Sequence, residues 1–279
     1  MPILLTLLLA LAVAGPATPA PASTDTPSPT RMLGLIRAKF RSHRPPPPYV
    51  VYTIERKQNI SEGYPDYLES YTYHVWLRSS DRGALARKVY RDYFRGFLEF
   101  QRPAFNEARD PGPPTADLFE PAPLHPQPVS FVPTPEPNQT PLPVIGQVSV
   151  ITETDYNVVS MTTEGSQLHL VLEPKRDPER NRLRELFVDK STLELQKLVA
   201  SDRLFVEHGS TYSVTFTIAM GMLQGIPVVT DIHGVVGDNY NDDGKEVDYH
   251  FRDISFPPSL PDWYFDQRLY AQHEKDAPL

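Results

Sequence analysis

The sequence contains no cysteine, which excludes disulfide bonds, thiol nucleophiles and a lipidated cysteine. It also lacks the GxSxG nucleophile elbow, the HExxH zinc pair and the GxxxxGK phosphate loop. Positive charge is in deficit: the formal net charge is -8 and the isoelectric point is about 5.5. A basic footprint is typical of nucleic-acid-binding domains, and none is present. We therefore predict a non-enzymatic protein with no catalytic residues, no metal site, no cofactor and no nucleic-acid partner.

Long hydrophobic runs are also scarce, and the clearest lies at the N-terminus, from Ile3 to Val13. It is too short to span a bilayer, which takes roughly 20 residues, but it has the length of a signal-peptide core. Ala20 and Ala22 supply small residues for cleavage. We predict a signal peptide at 1–22, no transmembrane span in the mature chain, and an exported protein that is periplasmic or secreted. The alternative is a short retained anchor.

Proline is the residue in excess, with 31 of 279 positions, about twice the usual share of roughly 5%. Many prolines fall between Pro103 and Pro143. Because proline has no backbone N–H, such a segment is not expected to join a sheet. We predict a Pro/Ser/Thr linker at 23–29 and a Pro-rich excursion at 103–143. The excursion is interpreted as a surface connection between two strands, and the alternative is a docking segment for a partner that reads polyproline helices.

A helix is predicted from Thr30 to Arg41, because Leu33, Ile36 and Phe40 recur at spacings of three and four. Thr30 is the expected N-cap. Elsewhere alternating apolar and polar residues predict about ten strands joined by short turns. The fold class is mainly β (α+β): a curved antiparallel sheet forming an unclosed half-barrel, with the N-terminal helix packed on or over its concave face. A single domain at 30–265 and a C-terminal tail at 266–279 are expected.

The most regular strand runs from Tyr212 to Met222. Its small or polar residues alternate with apolar ones, so one face of the strand is continuously apolar. This stripe is a candidate ligand wall, and the alternative is a core filled by the predicted helix. Its members are Tyr212, Val214, Phe216, Ile218, Met220 and Met222.

Two polar groups near the C-terminus are candidate metal sites. His233 and His250 would face one another, with Asp231 nearby, if a hairpin turned near Asn241 and Asp242. Exposed or hydrogen-bonded strand histidines are the favoured interpretation, because the register is not known from the sequence. The loop that starts at Asn239 has part of a calcium-loop pattern but carries His250 where glutamate is required. A polar hairpin turn is therefore predicted there.

The segment from Asp177 to Leu198, which contains Leu186-Phe187-Val188-Asp189, is followed by the alternating strand, a glycine turn and Ile226-Pro227. In this order the elements resemble the outer-membrane lipoprotein-sorting group of LolA/LolB-like carriers, over about Tyr156 to Phe256. The resemblance implies an unclosed β-barrel with helices over an apolar concave side that binds acyl chains, and a periplasmic site of action. We expect a lipid or lipoprotein acyl chain as ligand. The alternative is an envelope regulatory or assembly module of the same fold, with an envelope protein as partner and no lipid.

Overall fold

The computed structural model describes ten stretches of the chain. These are 27–43, 47–59, 68–81, 83–92, 97–100, 104–105, 112–120, 155–205, 211–237 and 246–276. Alternating apolar residues also predict a strand at 144–152. This segment, the predicted signal peptide, the turn of the last hairpin and most of the Pro-rich excursion lie outside the described residues.

In the described residues, one helix precedes the strands and three short helical segments follow them. The helices are α1 (Pro29–Arg41), η1 (Asp262–Phe265), α2 (Gln267–Gln272) and η2 (Glu274–Asp276). The strands are β1 (Tyr49–Asn59), β2 (Leu68–Arg78), β3 (Ala84–Asp92), β4 (Phe97–Phe100), β5 (Ala104–Phe105), β6 (Tyr156–Glu164), β7 (Gln167–Pro174), β8 (Leu183–Asp189), β9 (Leu195–Phe205), β10 (Thr211–Leu223), β11 (Ile226–Val236) and β12 (Glu246–Ser255).

The strands form one antiparallel sheet in the order β4-β3-β2-β1-β12-β11-β10-β9-β8-β7-β6, with β5 beside β3. Within the described residues no pairing joins β4 to β6, so the sheet is not closed. This confirms the predicted fold class. β5 is a two-residue exception to the expectation that the Pro-rich segment stays out of the sheet.

The first and last of the described strands are neighbours in the middle of the sheet. β1 pairs with β2 on one side and with β12 on the other. We call the β1–β12 pairing the seam. Residues 106–155 connect β5, near one edge of the sheet, to β6 at the opposite edge. The Pro-rich excursion is therefore a crossing from edge to edge, and a hairpin connection would be far shorter.

The N-cap of helix α1 lies two residues before the predicted one. Ser28 is the N-cap, its Oγ accepts a hydrogen bond from the Arg31 N–H at 3.4 Å, and Pro29 occupies the first helical position. Proline is favoured at that position because its fixed φ suits the helix and its missing N–H would have no intrahelical acceptor. Thr30 is therefore a helical residue, and its prediction as the cap is wrong.

Ser28→Ala is expected to lower the free energy of unfolding by about 0.5–1 kcal/mol, since it removes the cap acceptor. The value lies at the low end because the hydrogen bond is long. Thr30→Ala is the matched control and should change stability by less. Urea denaturation of both variants checks the assignment, and a larger loss for Thr30→Ala would contradict it.

The two faces of the sheet carry separate apolar clusters. The inner face is the face that contacts α1, and its cluster is the main core, which extends from Val50 and Tyr52 on β1 to Leu168 and Leu170 on β7. The outer face is the opposite one. Its cluster on β2 and β3 contains Trp76 and Leu85 and is covered by Trp263, Tyr264 and Tyr270 of the C-terminal segment.

The C-terminal segment extends the domain past the predicted boundary at residue 265. Tyr270 of α2 is buried, and Asp266 caps this helix by accepting hydrogen bonds from the N–H groups of Arg268 and Leu269. Burial raises the pKa of Tyr264. The guanidinium of Arg78 on β2 lies 4.5 Å from the ring centroid of Phe265. Residues 266–276 are thus part of the packed domain.

Asp81→Asn is expected to reduce the dependence of stability on pH below pH 4. Hydrogen bonds from Arg78 and from the Gly83 N–H lower the pKa of Asp81 from 3.8 to about 2. A lowered folded-state pKa stabilises the protein above pH 3.8, and this contribution disappears as the pH falls through 2. Because the Asp81 side chain is 53% exposed, the contribution is below about 1 kcal/mol. Denaturant midpoints at pH 2, 3, 4 and 6 measure it. An unchanged pH profile in the variant would contradict the assignment.

Candidate functional site

The apolar stripe on β10 lies on the inner face, and its burial decreases along the strand. Val214, Phe216 and Ile218 are 2%, 8% and 9% exposed, Met220 is partly buried, and Met222 is 46% exposed. The backbone of Tyr212 belongs to β10, but its side chain lies outside the described residues. The stripe is thus core at one end and reaches solvent at the other. Whether it binds a ligand stays a prediction.

Helix α1 covers part of the inner face with an apolar side. Leu33 and Ile36 are buried in the main core, and Met32 and Phe40 pack against it. Because the charged residues of α1 are spaced between these positions, one side of the helix faces the sheet and the other faces water. The helix therefore stands where the sequence analysis placed it, over the apolar face of the sheet.

A second covering segment was not expected. Residues 112–120, which we call the strap, belong to the predicted Pro-rich excursion and also lie on the inner face. Phe119 of the strap is 5% exposed in the main core, and its ring meets Phe40 of α1 edge to face at 5.3 Å between centroids. The Pro114 carbonyl accepts a hydrogen bond from the Val229 N–H of β11 at 2.8 Å. This part of the excursion is packed structure.

An ion pair joins the two covering segments. The Arg41 Nε at the end of α1 donates to Asp117 Oδ2 of the strap at 2.8 Å. The other Asp117 oxygen accepts a hydrogen bond from the Phe119 N–H at 3.0 Å, which shapes the turn that directs Phe119 inward. Both charged side chains are partly exposed, so the pair orders the strap but adds little stability.

The histidines considered as metal ligands lie on the outer face, away from the stripe. The candidate metal site requires His233 to lie opposite His250. The observed register of β11 and β12 differs from that pairing by two residues, so His233 lies opposite Asp248 and His250 lies opposite Asp231. Each imidazole Nδ1 is 2.8 Å from an oxygen of its aspartate. Burial alone would raise the pKa of Asp231, but hydrogen bonds from His250 and Thr230 hold it below its usual value.

The favoured interpretation of paired strand histidines agrees with this geometry. Among the residues that the structure describes, no three His, Asp, Glu or Cys side chains are grouped so that they can hold a metal ion. The turn that was compared with a calcium loop lies outside the described residues.

Sequence reasoning missed Phe119, Arg41 and Asp117 as residues of the inner face. The only signal for the strap was an aromatic residue next to leucine within a proline-rich stretch, at Leu118-Phe119. Such an apolar pair is expected to be buried. The strap is neither a helix nor a strand, however, so the spacing of its apolar residues does not predict which surface it packs against.

Comparison with known proteins supports no assignment to a family. No family model matches the chain, and no curated protein matches it. Solved structures similar to this chain include an outer membrane lipoprotein-sorting protein domain from Vibrio parahaemolyticus. That domain is 10% identical, with 86% of this chain and 97% of that chain covered and a TM-score of 0.36.

A DUF1329 family protein from Desulfovibrio piger is 9% identical, with 86% and 96% covered and a TM-score of 0.36. The MucA/MucB complex structure from Pseudomonas aeruginosa matches at 13% identity, with 82% and 95% covered and a TM-score of 0.18. Identities and TM-scores this low are not evidence that this protein shares a ligand, a partner or an activity with these proteins. In the described part of the chain, no helix has the length and apolar character needed to cross a membrane.

Proposed function

We propose that this protein is an exported, periplasmic binding protein that holds an acyl chain of a lipid or lipoprotein against the inner face of its open sheet. It acts by binding and carries out no reaction. The proposal rests on the inner face described above and agrees with the resemblance to lipoprotein-sorting carriers noted in the sequence.

The observation that carries the proposal is the gradient of burial along the β10 stripe. The stripe starts in the core at Val214 and ends at Met222, which is 46% exposed. An acyl chain is long, narrow and apolar, so it can lie along such a stripe from the exposed end inward and remove apolar surface from water. Met220 and Met222 suit this position because unbranched, polarisable methionine side chains adapt to ligands of variable shape.

We expect the ligand to enter between the sheet and the two segments that cover its inner face, α1 and the strap. The main core is completed by the side chains of α1 and the strap, which are joined to one another by a partly exposed ion pair. The exposed ion pair contributes only about 0–1 kcal/mol, so the buried side chains of the cover, Phe119 among them, supply most of its attachment to the sheet. An acyl chain would replace apolar contacts of the cover by its own.

Mass spectrometry of lipids that co-purify with the mature protein from its native envelope tests the proposal. Met222→Glu should lower the amount of bound acyl chain at least about tenfold, since an apolar chain on the stripe would desolvate the new carboxylate. Thr215→Glu is the matched control, because Thr215 lies on the opposite face of the same strand and is exposed. This variant should retain the lipid.

Lipid-free native protein, or equal loss of lipid in both variants, would overturn the proposal. Met222 is already exposed, so the glutamate is not expected to unfold the domain, and circular dichroism checks this.

A second function is favoured by a different observation. Leu33, Ile36 and Phe119 already fill part of the inner face, and a face filled by its own chain needs no ligand. The protein would then be an envelope regulatory or assembly module that binds a protein partner, with the Pro-rich segment as its docking element.

Deleting residues 121–143 distinguishes the two functions. A deletion that began at Pro103 would also remove Phe119 from the core, so the strap has to be kept. Acyl-chain binding should survive the shorter deletion under the first function. Under the second, capture of an envelope partner should be lost and no lipid should be found in the native protein.

A further inference from the structure

The strap meets the sheet near the point where the β10 stripe changes from buried to exposed. Its Pro114 carbonyl accepts the hydrogen bond of the Val229 N–H at 2.8 Å, and Val229 lies opposite Met220 in the pairing of β10 with β11. Met220 is partly buried, whereas Met222, two residues further along the stripe, is 46% exposed. An acyl chain that entered over Met222 would therefore reach the part of the sheet to which the strap is attached.

Few polar contacts hold the strap in place. Among the described residues, two hydrogen bonds join it to the rest of the molecule, the one from Val229 to Pro114 and the one from Arg41 to Asp117. The other hydrogen bonds that the structure shows for the strap lie within it. A segment with so few backbone hydrogen bonds to its surroundings is expected to open locally more easily than the strands beneath it.

The strap also places one aromatic ring in the main core. Phe119 is 5% exposed and belongs to the cluster that contains Phe216 and Ile218 of the stripe. Asp117 fixes the direction of this ring, because one of its carboxylate oxygens accepts a hydrogen bond from the Phe119 N–H at 3.0 Å and the other accepts one from Arg41 at 2.8 Å. The ring thus fills part of the apolar face on which the proposed acyl chain would lie.

We propose that the strap is a built-in competitor of the acyl chain: the Phe119 ring leaves the inner face when the chain binds, and Asp117 is the positioning residue that holds the ring in place. This inference rests on the proposed acyl-chain function and concerns the regulation of the same site. A site that is open only part of the time binds with an apparent affinity reduced by the open fraction. Changes that loosen the strap should therefore tighten binding, although they destabilise the fold.

Titration of the delipidated mature protein with the fluorescent fatty acid cis-parinaric acid tests the proposal. Phe119→Ala should bind at least about tenfold more tightly than the native protein, because it removes most of the apolar contact that favours the closed strap. Asp117→Asn keeps an oxygen for the Phe119 N–H but loses the ion pair, and should bind about two- to fivefold more tightly. Glu120→Gln, which changes an exposed carboxylate of the same strap, is the matched control and should bind as the native protein does.

Hydrogen exchange of the native protein gives a second measurement, which needs no ligand. The Val229 amide is bonded to the strap, whereas the amides of Phe216 and Ile218 lie between the neighbouring strands of β10. Because the strap opens without the sheet, Val229 should exchange at least about tenfold faster than Phe216 and Ile218. Asp117→Asn should accelerate exchange at Val229 by about two- to fivefold.

The competitor role and the acyl-chain function fail in different ways. Binding of the fatty acid to Phe119→Ala that is equal to or weaker than native binding would overturn the competitor role and leave the acyl-chain function standing. Exchange of Val229 at the rate of Ile218 would do the same, since the strap would then open only when the sheet unfolds. If neither the native protein nor any variant binds the fatty acid, both fail. If Phe119→Ala does not fold, Phe119→Leu replaces it and should bind about threefold more tightly than the native protein.

Discussion

Gly234→Val should lower the free energy of unfolding by about 3 kcal/mol, the upper part of the range for overpacking a core. Gly234 lies on the inner face of β11, opposite Phe216 on β10 and Val247 on β12. A Cβ at this position would lie 2.6 Å from Phe216 Cε1 and 2.7 Å from Val247 Cγ1. Both neighbours are buried, so neither can move aside without disturbing the core. The Phe216 ring takes the space that a side chain at 234 would fill.

Gly237→Ala is the control for this prediction. It follows β11, and a Cβ there meets nothing within 4 Å. Its stability should stay within about 0.5 kcal/mol of the native value, as is usual for exposed positions. Urea denaturation of both variants gives the comparison. A stability of Gly234→Val equal to that of the control would show that the Phe216 ring does not lie over Gly234.

Phe119→Ala should lower the free energy of unfolding by about 3 kcal/mol, because a buried aromatic ring leaves a cavity when it is truncated. Its effect tests the strap directly, since Phe119 joins the main core and contacts Phe40 of α1. Phe119→Leu should recover more than half of the loss, because much of the volume is restored.

Glu120→Ala is the matched control, because Glu120 is the next residue of the strap and is exposed. It should be nearly neutral. In a cycle with Phe40→Leu, the coupling between the two aromatic residues should be about 0.5–1.5 kcal/mol. Loss of less than 1 kcal/mol in Phe119→Ala would contradict the packing of the strap against the core.

Local pattern predicted the strands of this protein well. The alternation of Tyr212 to Met222 continues in the structure as β10, and Leu33 and Ile36 face the sheet as their spacing required. The spacing of apolar residues shows which side chains share one face of a strand or helix, and the apolar face is the one that is buried. Strand β10 and the buried side of α1 could therefore be predicted from short stretches of sequence.

Features that depend on distant parts of the chain were not predictable in the same way. The seam joins Val51 to Ser255. The sequence near β1 does not show which strand pairs with β1 on the side opposite β2. The strap has no regular secondary structure, so no helical or strand periodicity predicted that Phe119 would be buried. The register at His233 was missed by two residues because the turn length of a hairpin, which sets register, is ambiguous in a polar segment rich in Asn and Asp.

The seam also determines when the sheet can be completed. As the chain emerges with its N-terminus first, β1 can pair with β2, but its other edge has to wait for β12, the last of the described strands. Until then the central strand of the finished sheet is an open edge, and open edges invite pairing with other chains. A truncation before Glu246 would therefore remove the middle of the sheet, and leave two separate meanders with no strand between them.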